Sequence, residues 1–193
     1  MAKLLFLAGS ARKESVNKKL AKLAAEMAEK AGADVTFIDL KDYDMPIYDG
    51  DLEDAEGLPE NAKKLKALFI ENDGFFIACP EYNSSITPLL KNTIDWISRK
   101  ESDEEPALIA FKGKVAALAA ATPGTMSGLR VMPIVRSLLG NIGVHVIPDQ
   151  VGVSDAYNAF NEDGRLKDER QSKFLKNTVE NFVKTAEKLA KTN

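Results

Sequence analysis

The sequence predicts an α/β fold: a parallel sheet of short buried strands with helices packed on both faces. Three observations lead there. Apolar runs of strand length alternate with stretches whose apolar residues recur at helical spacing. The runs are apolar almost throughout, as strands covered on both faces are. Polar loops rich in Ser, Gly and Pro follow the first, third and fourth runs, where such folds keep their ligands.

The elements follow in order. Leu4–Ala8, LLFLA, is the first strand. Asn17–Lys30 is the first helix, with Leu20, Leu23, Ala24 and Met27 on one face and Gly32 stopping it. Asp34–Leu40, DVTFIDL, is the second strand, and Glu60–Glu71 a helix presenting Ala62, Leu65, Leu68 and Phe69. Gly74–Pro80, GFFIACP, is the third strand. Thr87–Ser98 is a helix with Thr87 as N-cap and Pro88 at the first helical position, where its missing N–H costs nothing. Its Leu89, Leu90, Ile94, Trp96 and Ile97 exceed what one core face needs, which fits either an interface or a sheet-packing helix.

Lys114–Thr122 is the fourth strand, Met126–Asn141 a helix ended near Gly140 and Gly143, and Val144–Pro148 the fifth strand. Lys167–Lys191 is a long final helix with Phe174, Leu175, Val179, Phe182 and Val183 facing inward. Tyr43–Pro59 and Lys100–Pro106 read as irregular, the second as an acidic surface loop. Five strands fit a flavodoxin-like three-layer sandwich of order 2-1-3-4-5, with residues 1–193 as a single domain.

Composition narrows the partners. The chain has 193 residues, enough for one full core, and a formal net charge of -3. No basic balance exists to neutralise a run of phosphates, which argues against a nucleic-acid partner. No apolar run is long enough to span a membrane, and the N-terminal MAKLLFLAGSARK reads as a strand and loop rather than a signal peptide. Cys79 is the only cysteine, so no intrachain disulfide forms, consistent with a cytoplasmic location.

The loop after the first strand, LAGSARKESVN, leads into a helix N-terminus, whose free N–H groups attract anions. Ser10 and Ser15 offer hydroxyls, Arg12 a charged fork, and Asn17 a cap or a direct donor. The loop lacks G-x-x-x-x-G-K-[ST], G-x-G-x-x-G, a cysteine and an acidic metal pocket. This leaves a hydroxyl-rich cradle suited to one terminal phosphate. Taken alone, the loop is equally well explained by a plain helix cap beside a solvated Arg12.

The second loop, PEYNSSITP, adds an aromatic plane at Tyr82 and polar groups at Asn83, Ser84 and Ser85 between two prolines. The third, ATPGTMSG, carries Gly124 and Gly128, which allow close backbone approach to a ligand. One phosphate loop and two loops suited to a flat ring, at one sheet edge, describe a mononucleotide site.

At these residues the chain resembles the NADPH-dependent FMN reductase family. GSARKESVNKKLA is similar to its flavin phosphate loop, G-S-x-R-x-x-S-x-N entering a helix, and PEYNSSITPLLKNTIDWIS to its second block. The resemblance runs roughly from the first strand to the fifth. It implies that Ser10, Arg12, Ser15, Val16 and Asn17 hold the phosphate of FMN. It also implies that Pro80, Glu81, Tyr82, Asn83 and Ser85 frame the isoalloxazine ring, and that Thr122, Pro123 and Gly124 close its other side. The third loop departs from the pattern: Thr125-Met126-Ser127-Gly128 stands where relatives often carry a richer Gly-Gly stretch.

The implied activity is hydride transfer from NADPH or NADH through FMN to a small-molecule acceptor such as a flavin, quinone, azo compound or metal ion. No protein residue is then nominated as an acid or base, because the cofactor carries the chemistry. The family implies a homodimer or homotetramer. An FMN electron carrier with little reductase activity is the alternative, and a phosphate-binding module without redox function the third reading. Arg130 and Lys112 are candidates for a 2′-phosphate contact that no pattern places. His145 reads as structural and Cys79 as a small buried hydrophobe, and neither has metal-ligand spacing.

Overall fold

The computed structural model describes residues 1–191. Five parallel strands, β1 (Lys3–Ala8), β2 (Asp34–Phe37), β3 (Gly74–Ala78), β4 (Val115–Ala121) and β5 (His145–Val153), form one sheet in the order β2-β1-β3-β4-β5. Six helices accompany it: α1 (Val16–Lys30), α2 (Gly50–Glu56), α3 (Glu60–Glu71), α4 (Pro88–Ile97), α5 (Val131–Asn141) and α6 (Glu169–Ala190). This is the flavodoxin-like α/β sandwich anticipated from the strand count.

Alternation along the strands builds two cores. Leu4, Phe6, Phe76, Ala78, Ala117 and Ala119 pack with α1 and α6 on one face. Leu5, Leu7, Phe75, Ile77, Ala116 and Leu118 pack with α3, α4 and α5 on the other. Each face is apolar, which is why the strands read as continuous apolar runs. Phe6 stacks on Phe76 at 5.3 Å between ring centroids and meets Phe182 of α6 edge-on.

Several element boundaries differ from the sequence reading. β2 stops at Phe37, because Asp39 caps a short 3-10 turn, Leu40–Asp42, that drops Leu40 into the core. Within Tyr43–Pro59, which reads as irregular, α2 forms with Asp49 as its cap. The helix expected from Met126 begins only at Val131, because Ser127 and Gly128 hold left-handed backbone at φ +51° and +78° and cannot continue a right-handed turn. β5 runs on past Pro148, where the pairing with β4 slips: Ala116 faces Val146, but Leu118 faces Gln150. β5 is an edge strand, the one place where a proline and a bulge are tolerated. Arg136 spans the irregularity, donating to the carbonyls of Val146 and Ile147 and to Gln150 Oε1. Phe174, expected to face inward, is half exposed beneath the Arg170 guanidinium.

The apolar excess of α4 is consumed inside the chain. Trp96 is fully buried against Leu58 and Ala62, its ring edge-on to Tyr48 at 5.0 Å. Its indole N–H donates to the carbonyl of Pro46 at 2.8 Å. The segment that read as irregular is thus the lid over this face, and α4 is a sheet-packing helix. Trp96→Phe is expected to lower stability by about 1–2 kcal/mol, because the smaller ring leaves space in a fully buried site and one of the two donors to the Pro46 carbonyl is lost, Asn92 remaining. Urea unfolding checks it, with an unchanged slope against denaturant.

The position of the site follows from strand direction. All five strands are parallel, so the loops after β1, β3 and β4 gather at one edge, where the strand order reverses between β1 and β3.

Candidate functional site

A cleft of about 210 Å³ opens at that edge. From the first loop it is lined by Ser10, Arg12, Ser15, Val16 and Asn17, and from the second by Pro80, Glu81 and Tyr82. Thr122 and Pro123 of the third loop close it. The structure therefore brings ten of the residues named from the sequence to one cleft, and leaves Asn83, Ser85 and Gly124 outside its lining. A larger cavity of about 840 Å³ lies by the C-terminal end of α4 among Glu53, Arg99, Lys100 and Glu101, and shares no residue with the cleft.

Donors converge at the first loop. Ser15 is the N-cap of α1, its Oγ accepting from the Lys18 amide. Ser10 Oγ accepts from the Arg12 amide at 3.3 Å. Both hydroxyls accept from backbone, which leaves their protons to donate to a ligand. The first amides of α1 have no acceptor within the helix, and the helix dipole adds positive charge there. No acid sits in the first turn of α1. Arg12 is exposed and forms no ion pair among the described residues, whereas the neighbouring Lys18 is bound to Asp39. A cap and a phosphate loop are thus not alternatives here: Ser15 caps with its oxygen and keeps its proton.

Gly9 lets the first loop lie against α4. A Cβ there would stand 3.0 Å from Leu90 Cβ and 3.2 Å from Thr87 Oγ1. Thr87, the N-cap of α4 as expected, donates to the Gly9 carbonyl at 2.6 Å and accepts from the Leu90 amide.

The second loop is a tight reversal. Tyr82 and Ser85 exchange both backbone hydrogen bonds, and Asn83 and Ser84 hold φ of +48° and +66°. Positive φ at both central residues is the signature of a type I′ turn, which Asn tolerates well. The turn carries Asn83 and Ser84 to its tip, out of the cleft, and leaves Tyr82 at 46% exposure on the cleft side.

Glu81 points to the third loop. Its Oε2 accepts from the Val131 amide at the start of α5, and its Oε1 pairs with Arg130 Nε at 3.2 Å. Arg130 also donates to Ser84 Oγ at 2.8 Å. Arg130 is therefore at the mouth of the cleft, whereas Lys112 precedes β4 and lies at the opposite edge of the sheet. His145 begins β5 at that opposite edge and is remote from the cleft. Cys79 follows the last residue of β3 and is fully buried. Desolvation pushes its thiol far above the ordinary range, so it holds no thiolate.

The cleft also contains residues that the sequence reading missed. Glu14 and Ala121 join its lining, as does Tyr157, from the turn after β5, which is 63% exposed. Only strand order signals Tyr157: β5 neighbours β4, so its following turn reaches the same edge. Asn17 lines the cleft, but its side-chain amide is committed to Ala121, donating to the carbonyl at 2.8 Å and accepting from the N–H at 2.9 Å.

Comparison with known proteins agrees with this arrangement. A family model described as NADPH-dependent FMN reductase matches residues 2–158. The chain is 31% identical over 179 residues to an NAD(P)H-dependent FMN reductase of Pseudomonas aeruginosa, covering 92% of this chain and 91% of the relative. It is 31% identical over 176 residues to a quinone reductase of Pseudomonas putida, covering 91% and 89%. Among solved structures, the flavoenzyme NAD(P)H:(acceptor) oxidoreductase FerB of Paracoccus denitrificans superposes with a TM-score of 0.82 at 30% identity, over 97% of this chain and 98% of that one. The match spans the loops after β1, β3 and β4 and all five strands, and the chain belongs to the NADPH-dependent FMN reductase family.

Proposed function

We propose that this protein binds FMN in the cleft and passes reducing equivalents from NADPH or NADH to a small-molecule acceptor: a flavin, a quinone, an azo compound or a metal ion. The observation that supports this most is the donor set at the α1 N-terminus. Two serine hydroxyls with free protons, the Val16 and Asn17 backbone amides at the start of α1 and an unpaired Arg12 meet at one cleft, and this set fits a phosphate monoester dianion. Tyr82, Pro80 and Pro123 supply the apolar surfaces that a flat ring system needs.

When bound, FMN supplies the hydride and electron chemistry. The chain's own residues bind and orient. Ser10, Ser15 and Arg12 would hold the phosphate, and Glu81 keeps the second and third loops in register. The cleft is smaller than the ~300–1,000 Å³ of most small-molecule pockets, so a ring held here keeps a surface open to a second substrate. No helix among the described residues is long and apolar enough to cross a membrane. The exposed Tyr82 of the cleft, with the exposed Met126, Leu129 and Ile134 that follow β4, supports a homodimer or homotetramer, and a single buried thiol fits the cytoplasm.

The test is the visible spectrum of the protein reconstituted with FMN, followed anaerobically as NADPH is added. Bleaching of protein-bound flavin within seconds is the expected result. A bound flavin that stays yellow with both NADPH and NADH would make the protein an electron carrier. No bound flavin would mean that the loop serves another phosphate.

A further inference from the structure

We propose that the Asn17 side chain positions the ring-side loop rather than holding the phosphate; this rests on the FMN reading above. The Asn17 side chain is turned to the protein: it is buried, and one amide proton and its oxygen are both bonded to the backbone of Ala121, 104 residues away in sequence, which leaves its second amide proton as the one uncommitted donor of the side chain.

The target of this bond matters. Ala121 is the last residue of β4, and Thr122 and Pro123 follow it along the cleft wall. The Ala121 N–H finds its acceptor in Asn17, while the Thr122 N–H goes to the Val153 carbonyl of β5. The exit of β4 is thus held from both sides, by β5 and by α1. Asn17 ties the phosphate end of the cleft to the loop that closes the ring end. The first loop does not depend on that tie, because Ser15 caps α1 and Thr87 holds Gly9.

Two further side chains complete the circuit. Thr87 joins the first loop to the second, and Glu81 joins the second to the third. Asn17 joins the first to the third. Every pair of loops is therefore linked through side chains, and the Asn17 link is the most deeply buried that reaches the third loop. Fixing three loops before the ligand arrives removes an ordering cost from binding.

The test compares FMN with riboflavin, which lacks the phosphate. Dissociation constants are measured by flavin fluorescence quenching for the wild type and Asn17→Ala, well below the thermal midpoint of each. A displaced third loop weakens both flavins, so the expected loss is about tenfold for each. A loss confined to FMN would make Asn17 a phosphate ligand and overturn the proposal. Unchanged affinities with a lowered midpoint would reduce Asn17 to a purely structural role and overturn it equally.

A second measurement needs no variant. Inorganic phosphate is titrated into the 15N-labelled apoprotein. The backbone amides of Ser10, Ser15 and Val16 are expected to shift, while the Asn17 side-chain amide and the Ala121 N–H stay in place. The Ala121 N–H is expected to resist hydrogen exchange throughout. A phosphate-dependent shift of the Asn17 side-chain amide would sink the proposal. If the wild type binds neither flavin, the reading of function fails and the proposal falls with it. If the wild type binds both and only Asn17 departs from expectation, the proposal alone fails.

Discussion

Replacing Arg12 by Ala is expected to weaken FMN binding about 30-fold while leaving riboflavin binding within about twofold. The reasoning starts from charge. A guanidinium donating to a phosphate makes charge-assisted hydrogen bonds worth ~1.5–3 kcal/mol, toward the lower end at an exposed site. Arg12 is exposed and makes no ion pair among the described residues, so removing it breaks no internal contact. Its loss is therefore felt only by a ligand with a phosphate. Arg12→Lys keeps the charge but not the fork, and an intermediate loss is expected. The check is the pair of dissociation constants at a fixed salt concentration, because an exposed charge is screened. Equal losses for FMN and riboflavin would remove Arg12 from the phosphate site.

Gly128→Ala is expected to destabilise the protein by about 3 kcal/mol, or about 6–12 °C in thermal midpoint for a chain of this size. Two costs combine. Gly128 holds φ at +78°, which an L side chain rarely adopts. A Cβ there would lie 2.2 Å from the Cβ of Ala120, near the end of a fully buried strand that cannot yield. The third loop must then lift from β4, and flavin affinity should fall with it. Gly124→Ala is the contrast. Nothing lies within 4 Å of a Cβ at Gly124, so its stability change is expected to be under ~0.5 kcal/mol. Thermal unfolding of the two variants side by side checks the pair. Similar losses in both would show that loop conformation, and not contact with Ala120, governs this region.

These two glycines show where the sequence speaks plainly and where it misleads. Both read as places where backbone approaches a ligand. Only packing reveals that the space at Gly128 is taken by the protein's own strand. The same limit applies to Asn17, which has the residue type of a cap or ligand. A bond to a backbone 104 residues away leaves no local pattern.

The fold was legible because its signal is local and repeated. Strands buried on both faces must be apolar throughout, and helices between them must carry a 3.6-residue stripe. LLFLA, GFFIACP and VAALAAA admit little else, and their number and alternation imply the order that the sheet shows. The donor-rich helix start in the first loop was equally legible, since Ser15 has the residue type of an N-cap and caps α1. Element ends were less so. α2 is short and has no buried residue, so it leaves no apolar stripe to find. The apolar surplus of α4 implied a covering but not its source, and only the folded chain shows Leu58 and Ala62 against Trp96.

The sequence by itself determined the α/β class, the edge at which the three polar loops gather and the donor groups of the first loop, because each depends on residues close together in the chain. Tertiary structure alone decided which of those residues face the cleft, that Tyr157 joins them, and that Thr87, Asn17 and Glu81 tie the three loops together. Those outcomes depend on distances between segments far apart in sequence, which arise only when the sheet brings the strand ends side by side.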